Sequence, residues 1–171
     1  IAAGVASADI AAAFGGRRVA RVMPTTAAAI GQGTASVFSS DAEARARARA
    51  LLEPVGAVID LADEDLMHAA TAVSGSAPAY LYAFVEALQA AGEALGLPAD
   101  AARQLARATT AGAAALMAES GEETAELRRQ VTSPGGTTEA ALKVLMGKAG
   151  LGPLLMEAAA AAEKRSRELG R

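Results

Sequence analysis

Two short stretches of the chain combine hydroxyls, glycines and a proline in a way that could hold a small anion. Residues 131–142 read VTSPGGTTEAAL. Pro134 fixes its φ, and Gly135 and Gly136 let backbone amides come close to a ligand. Thr137 or Thr138 is then expected to cap a helix whose first turn carries Glu139. A helix start presents N–H groups without internal partners and the positive end of the dipole, which suits a carboxylate or phosphate without any Arg or Lys. An ordinary turn followed by a capped helix gives the same pattern. Residues 74–80, SGSAPAY, repeat the theme. Ser74 and Ser76 flank a glycine ahead of Pro78, and a long apolar run follows. Small residues there permit close backbone approach, although the capped start of a core helix reads the same way.

His68 is the single histidine. Its neighbours Asp63, Glu64 and Asp65 could suggest a metal. A lone histidine among carboxylates at a helix start is instead expected to be a solvated, dipole-favoured cluster, and no metal is expected. Glu86, on an apolar-striped helix, could be a member of a buried pair or a surface residue. Met67, Met117, Met146 and Met156 read as core or interface filler. The chain has no cysteine, which excludes disulfides and thiolate metal sites and fits a reducing cytoplasm.

The elements that must position these residues have two textures. Up to about residue 62 there are three short β-branched runs: VARVM (19–23), TASVF (34–38) and AVIDL (57–61). Between the last two a helix is expected, with Asp41 as N-cap and Glu43 in the first turn. Arg45, Arg47 and Arg49 follow, and Pro54 and Gly56 end it. Strand, strand, helix, strand is an α/β pattern too small for a sheet covered on both faces. From Glu64 onward only helices are expected. They fall over 65–73, over 76–95 with Tyr80, Phe84, Leu88 and Ala91 at helical spacing, and from Pro98 to about Glu119. Three more fall over 123–131, 138–146 and 152–169. The boundary between the textures falls near Ala62–Asp63.

The bulk properties agree. The apolar half of the composition is mostly alanine, with three Phe, two Tyr and no Trp, which favours closely packed helices over a β-sandwich. A net charge of −3 offers no basic face for nucleic acid or an anionic membrane. Gly, Pro and charged residues interrupt every apolar run before membrane-spanning length. The apolar N-terminal stretch has no positive flank and does not read as a signal peptide. It opens on Ile instead of Met, as though cut from inside a longer chain.

The blocks RVMP (21–24), VSGSAPAY (73–80), EALQAAGEALGLP (86–98), QVTSPGGTTEAAL (130–142) and the ending EAAAAAEKRSRELG (157–170) cover nearly the whole chain. In order and spacing, this set resembles pyrroline-5-carboxylate reductase. The resemblance implies a mainly α fold. Residues 1–62 would be the C-terminal remainder of a Rossmann dinucleotide-binding domain. Residues 63–171 would be an all-α dimerisation and substrate domain of the 6-phosphogluconate-dehydrogenase C-terminal-like kind. It implies reduction of Δ1-pyrroline-5-carboxylate to L-proline in the cytoplasm with NADPH or NADH, by a homodimer that can build larger rings.

By position, Ser133, Gly135, Gly136, Thr137 and Thr138 would hold the substrate carboxylate. Thr138 would be the catalytic hydroxyl at the ring nitrogen, and Ser74 and Ser76 would line the ring space. Ala2, Ala3, Gly4, Met23, Pro24 and Thr25 would lie against the nicotinamide. An imine needs only a hydride and a proton, so positioning is the main task. The chain departs from the family pattern at Thr25, where Asn is usual, at Ala77, where Gly is usual, and at Arg128 and Arg129. The family's Gly-rich phosphate loop has no counterpart here. The fragment alone is therefore expected not to bind the dinucleotide usefully. A non-catalytic helical dimerisation fragment and a reductase of another cyclic imine are the alternatives.

Overall fold

The computed structural model describes residues 4–170. The chain is mainly helical and divides into two compact units. One holds the described residues up to Pro78 together with those from Met156 on, and the other is Ala79–Leu155.

The first unit is built on a three-stranded sheet of order β1-β2-β3. The strands are β1 (Arg21–Pro24), β2 (Gly33–Phe38) and β3 (Gly56–Asp60), matching the three β-branched runs. β1 and β2 are antiparallel, with Arg21 opposite Phe38 and Pro24 opposite Ala35. The link between them is a 3-10 turn, Thr26–Ile30, far too short for a crossover. β2 and β3 are parallel, from Gly33 opposite Gly56 to Val37 opposite Asp60. Their crossover is helix α2 (Ala42–Leu52), whose N-cap Asp41 accepts the Ala44 N–H at 2.8 Å as the sequence leads one to expect. β2 carries the core: Ala35 and Val37 are buried, with Ala48 of α2, Met67 and Ala72.

An N-terminal helix, α1 (Ser7–Ala13), precedes the sheet. The sequence reading gave that stretch no helix. After β3 come α3 (Leu66–Ala70) and a π-helical turn, Thr71–Gly75. In the turn the Ser76 N–H donates to the Thr71 carbonyl at 2.8 Å. The unit ends with α8 (Leu151–Leu169) from Met156 on.

The second unit holds most of α4 (Ala77–Ala94), then α5 (Ala99–Ser120), α6 (Thr124–Gln130), α7 (Thr137–Leu145) and the start of α8. Each lies within a residue or two of the helix expected from periodicity. Its buried residues are Ala102 and Ala106. Gly92 of α4 lies against Ala102 of α5, so close that an added methyl would sit 3.2 Å from the Ala102 Cβ. Tyr80 of the apolar stripe on α4 is half-buried, but the rest of the stripe is left uncovered by this chain. Phe84 and Leu88 are 42% and 40% exposed, and Ala91 is exposed as well. Helical spacing shows which side chains share a face but not whether the chain's own atoms cover that face. Among the described residues no helix is long and apolar enough to cross a membrane.

Candidate functional site

The loop 133–136 is a tight turn closed by the Gly136 N–H donating to the Ser133 carbonyl at 3.0 Å. Gly135 takes a φ of +71° there, a conformation that an L side chain adopts only with strain. Neither Thr137 nor Thr138 caps α7. The N-cap is Gly136 in extended conformation, with no side-chain cap bond, and Thr137 is already the first helical residue. The structure corrects the expected cap on this point. The extended backbone that a cap needs is supplied one residue earlier, by a glycine.

The mouth of α7 is furnished by Glu139 instead. Its carboxylate reaches back to accept the Gly135 N–H at 2.7 Å and lies 3.7 Å from Lys143 Nζ. A glutamate at the third helical position that returns to the preceding turn resembles the second half of a capping box, but it reaches the residue before the N-cap instead of the N-cap itself. Hence the amides of Gly135 and Gly136 are both engaged within the chain. The amides of Thr137, Thr138 and Glu139, in the first turn of α7, have no intrahelical acceptor. Thr138 and Glu139 are half-buried, while Ser133, Gly135 and Thr137 are exposed.

In the first unit the structure brings Met23 together with the serine turn. The Met23 methyl lies where a methyl on Gly75 would fall. Ser74 Oγ donates to the Ala70 carbonyl at 2.8 Å and Thr71 Oγ1 to the Met67 carbonyl at 2.7 Å, so both hydroxyls brace the turn. Ser76 is half-buried. Pro24 ends β1, and Thr25 continues the pairing. Its N–H donates to the Thr34 carbonyl and its hydroxyl accepts the Thr34 N–H, each at 2.9 Å. Gly4 is buried with φ of +83° against the Leu169–Gly170 backbone. Ala2 and Ala3 lie outside the described residues. The Tyr80 hydroxyl, at the end of SGSAPAY, is buried and has no hydrogen-bond partner among the described residues.

Of the cluster at residues 63–68, Asp63 and Asp65 are exposed as the sequence suggested, whereas Glu64 and His68 are half-buried and engaged by distant residues. Glu64 accepts the Ser7 N–H at 2.7 Å, the Ser7 hydroxyl at 2.6 Å and an Arg21 N–H at 3.1 Å. Burial alone would raise the Glu64 carboxyl, but the bonds from Ser7 and Arg21 outweigh it and hold the pKa below its ordinary value. Asp65 pairs with Arg167 at 2.8 Å. His68 Nδ1 lies 2.9 Å from the buried Ser166 Oγ of α8. Burial lowers the His68 pKa, and the Arg167 and Arg21 guanidiniums lower it further. Among the described residues no three of His, Asp and Glu gather as metal ligands. Sequence reading missed the partners of Glu64 and His68, which stand at residues 7, 21 and 166.

A family model described as pyrroline-5-carboxylate reductase dimerisation matches residues 64–169. The chain belongs to the pyrroline-5-carboxylate reductase family. A pyrroline-5-carboxylate reductase of Corynebacterium melassecola is 43% identical over 175 residues, across 100% of this chain and 64% of the relative. That of Pseudomonas aeruginosa is also 43% identical, across 99% of this chain and 63% of the relative. A solved pyrroline-5-carboxylate reductase from Coxiella burnetii superposes with a TM-score of 0.91 at 38% identity, covering 99% of this chain and 64% of that one. The Plasmodium falciparum pyrroline carboxylate reductase, solved with NADP bound, gives 0.84 at 26% identity, covering 99% and 68%. This chain therefore spans less than two thirds of the length of the two reductase relatives.

Proposed function

We propose that the whole protein to which this chain belongs reduces Δ1-pyrroline-5-carboxylate to L-proline with NADPH or NADH, in the cytoplasm, as a homodimer. Identity of 43% to reductases of that name, across the length of this chain, carries the reading. The helix mouth at Thr137–Glu139 supplies the chemistry, because free amides at a helix start suit the substrate carboxylate. In this reading Ser133–Thr138 hold the carboxylate, Ser74 and Ser76 line the ring space, and Gly4 and Met23–Thr25 face the nicotinamide, with Ala2 and Ala3 beside them. The dinucleotide supplies the hydride when bound.

The residues present suit the nicotinamide end of such a cofactor at Thr25, whose hydroxyl keeps its proton free to donate, whereas Gly4 is packed against the chain's own Leu169–Gly170 backbone. Glu139 is the local obstacle. A substrate carboxylate that takes the Gly135 amide must displace it, whereas one that takes the Thr137 and Thr138 amides need not. The Thr138 hydroxyl then orients the ring nitrogen, and a hydroxyl can do so without being a strong acid. Residues 1–62 are read as the end of a Rossmann domain and 63–171 as the helical dimerisation domain. A cleft of about 440 Å³ beside β1, lined by Val22, Ala48 and Leu51 among others, supports a larger sheet-and-helix assembly there. The outward apolar side chains of α4, α5 and α7 support a partner subunit.

The test is turnover of pyrroline-5-carboxylate by the whole protein, with NADPH or NADH followed by absorbance. Thr138→Ala is expected to lower kcat/KM by about 1–3 kcal/mol of transition-state stabilisation, the scale of one oriented hydrogen bond. Unchanged kinetics would remove Thr138 from the chemistry. Faster turnover of another cyclic imine would move the substrate assignment.

A further inference from the structure

Gly75 is the residue of the serine turn whose presence the backbone does not explain. Its φ lies outside the left-handed region, and the chain there follows a helical course that alanine would join readily. Space explains it instead. A Cβ on Gly75 would collide with the Met23 Cε, and would lie 3.4 Å from the Met23 Cγ and 3.5 Å from the Thr71 Cγ2. Among the described residues, the contact that could not stand is with the tip of Met23. The two sides of that contact differ in stiffness. The turn is pinned by the Ser76–Thr71 backbone bond and by the Thr71 and Ser74 hydroxyls, at 2.7–2.8 Å. Met23 ends in an unbranched thioether with free rotors. A methyl added at Gly75 therefore re-aims Met23 and leaves the turn in place.

We propose that Gly75 is a positioning residue: its missing side chain fixes where the Met23 methyl lies, and through it how the Met23–Thr25 stretch meets the nicotinamide. This rests on the reductase reading given above. The contact couples a turn read as lining the substrate ring to a strand end read as facing the cofactor, with no polar bond between them.

The experiment is a double-mutant cycle in the whole protein with Gly75→Ala, Met23→Ala and both together. It measures Tm, NADPH affinity, and kcat and KM with NADPH and with its 4-deuterated form. Gly75→Ala is expected to leave Tm within about 2 °C, since the clash is relieved at a flexible tip. It is expected to lower kcat about ten-fold, because sub-ångström misplacement of reacting groups is costly. The deuterium effect on kcat should rise as hydride transfer slows relative to other steps, and a merely structural role would not move it. In the Met23→Ala background, adding Gly75→Ala should change each quantity by less than about two-fold, because its target is gone. Wild-type kinetics in Gly75→Ala would overturn the proposal. So would an equal loss in both backgrounds, which would place the new methyl itself in the ring space. A wild-type protein that binds NADPH with the same coupling but does not reduce pyrroline-5-carboxylate would overturn the substrate reading alone. A wild type that binds neither NADPH nor NADH would overturn both.

Discussion

Replacing Glu64 with alanine should destabilise the protein by about 2–3 kcal/mol. Its carboxylate holds three donors from two other elements, the N–H and hydroxyl of Ser7 at the start of α1 and the guanidinium of Arg21 on β1. The Arg21 side chain is only 11% exposed and that of Glu64 24%, so the alanine variant strands a guanidinium largely cut off from water. Breaking a fully buried pair costs about 3–5 kcal/mol. Partial access of water to the Glu64 side brings the figure to the lower edge of that range or below it. For a chain of this size the loss corresponds to a fall in Tm of roughly 5–10 °C.

Glu64→Gln keeps the shape and one acceptor, and should cost about half as much. The pH dependence separates charge from packing. Since the folded carboxyl titrates below its ordinary value of 4.5, the folded state binds fewer protons than the unfolded one. Its stabilisation is complete above that value and fades as the pH falls through the lower folded one. Thermal unfolding of wild type and Glu64→Gln between pH 3 and 7 should therefore show curves that converge in acid. Parallel curves, or a Glu64→Ala variant within about 0.5 kcal/mol of wild type, would refute the reasoning.

Other consequences can be checked by the same melts. Ser166→Ala should cost about 1 kcal/mol, the usual net value of one buried hydrogen bond, and an unchanged Tm would show that His68 has another partner. Because the His68 pKa is lowered from 6.5 on folding, its contribution is whole above that value and is lost as the pH falls below it. His68→Gln should flatten stability between pH 5 and 7, and an unaltered slope would deny the linkage. Tyr80→Phe should be neutral or stabilising by up to about 1 kcal/mol, since it removes a buried hydroxyl without a partner among the described residues. A loss beyond that would mean the hydroxyl is satisfied in the assembled protein.

Most elements were legible because their signals are local. The first β-branched run ends at Pro24, Asp41 announces its helix, Gly56 stands between that helix and the third run, and Gly96 and Gly121 mark helix ends, so strands and helices fall where the residues place them. The cap of α7 was misassigned because Gly136, Thr137 and Thr138 are all competent there, and backbone conformation makes the choice. The π turn was invisible, since one additional residue in a helical course leaves no periodic trace. The partners of Glu64 lie 57 and 43 residues away in sequence, and pattern has no reach over such distances. The role of Glu139 was within reach: a glutamate at the third helical position after a Gly-Gly turn carries its own mechanism. The candidate anion site was thus visible as a motif, while the carboxylate that occupies part of it was not.

The second unit has a folding consequence. Two alanines are its buried residues, while Leu105, Leu116, Val144, Met146 and Leu154 are each more than half exposed. Four and a half helices with so thin an interior have little hydrophobic stabilisation to set against the conformational entropy of ordering them. In the dimeric reading this half of the molecule acquires its interior from another copy, so that folding and association become one equilibrium and the melting temperature climbs with protein concentration. Dilution would then act as a denaturant, and freshly synthesised chains would be at their most vulnerable before they meet.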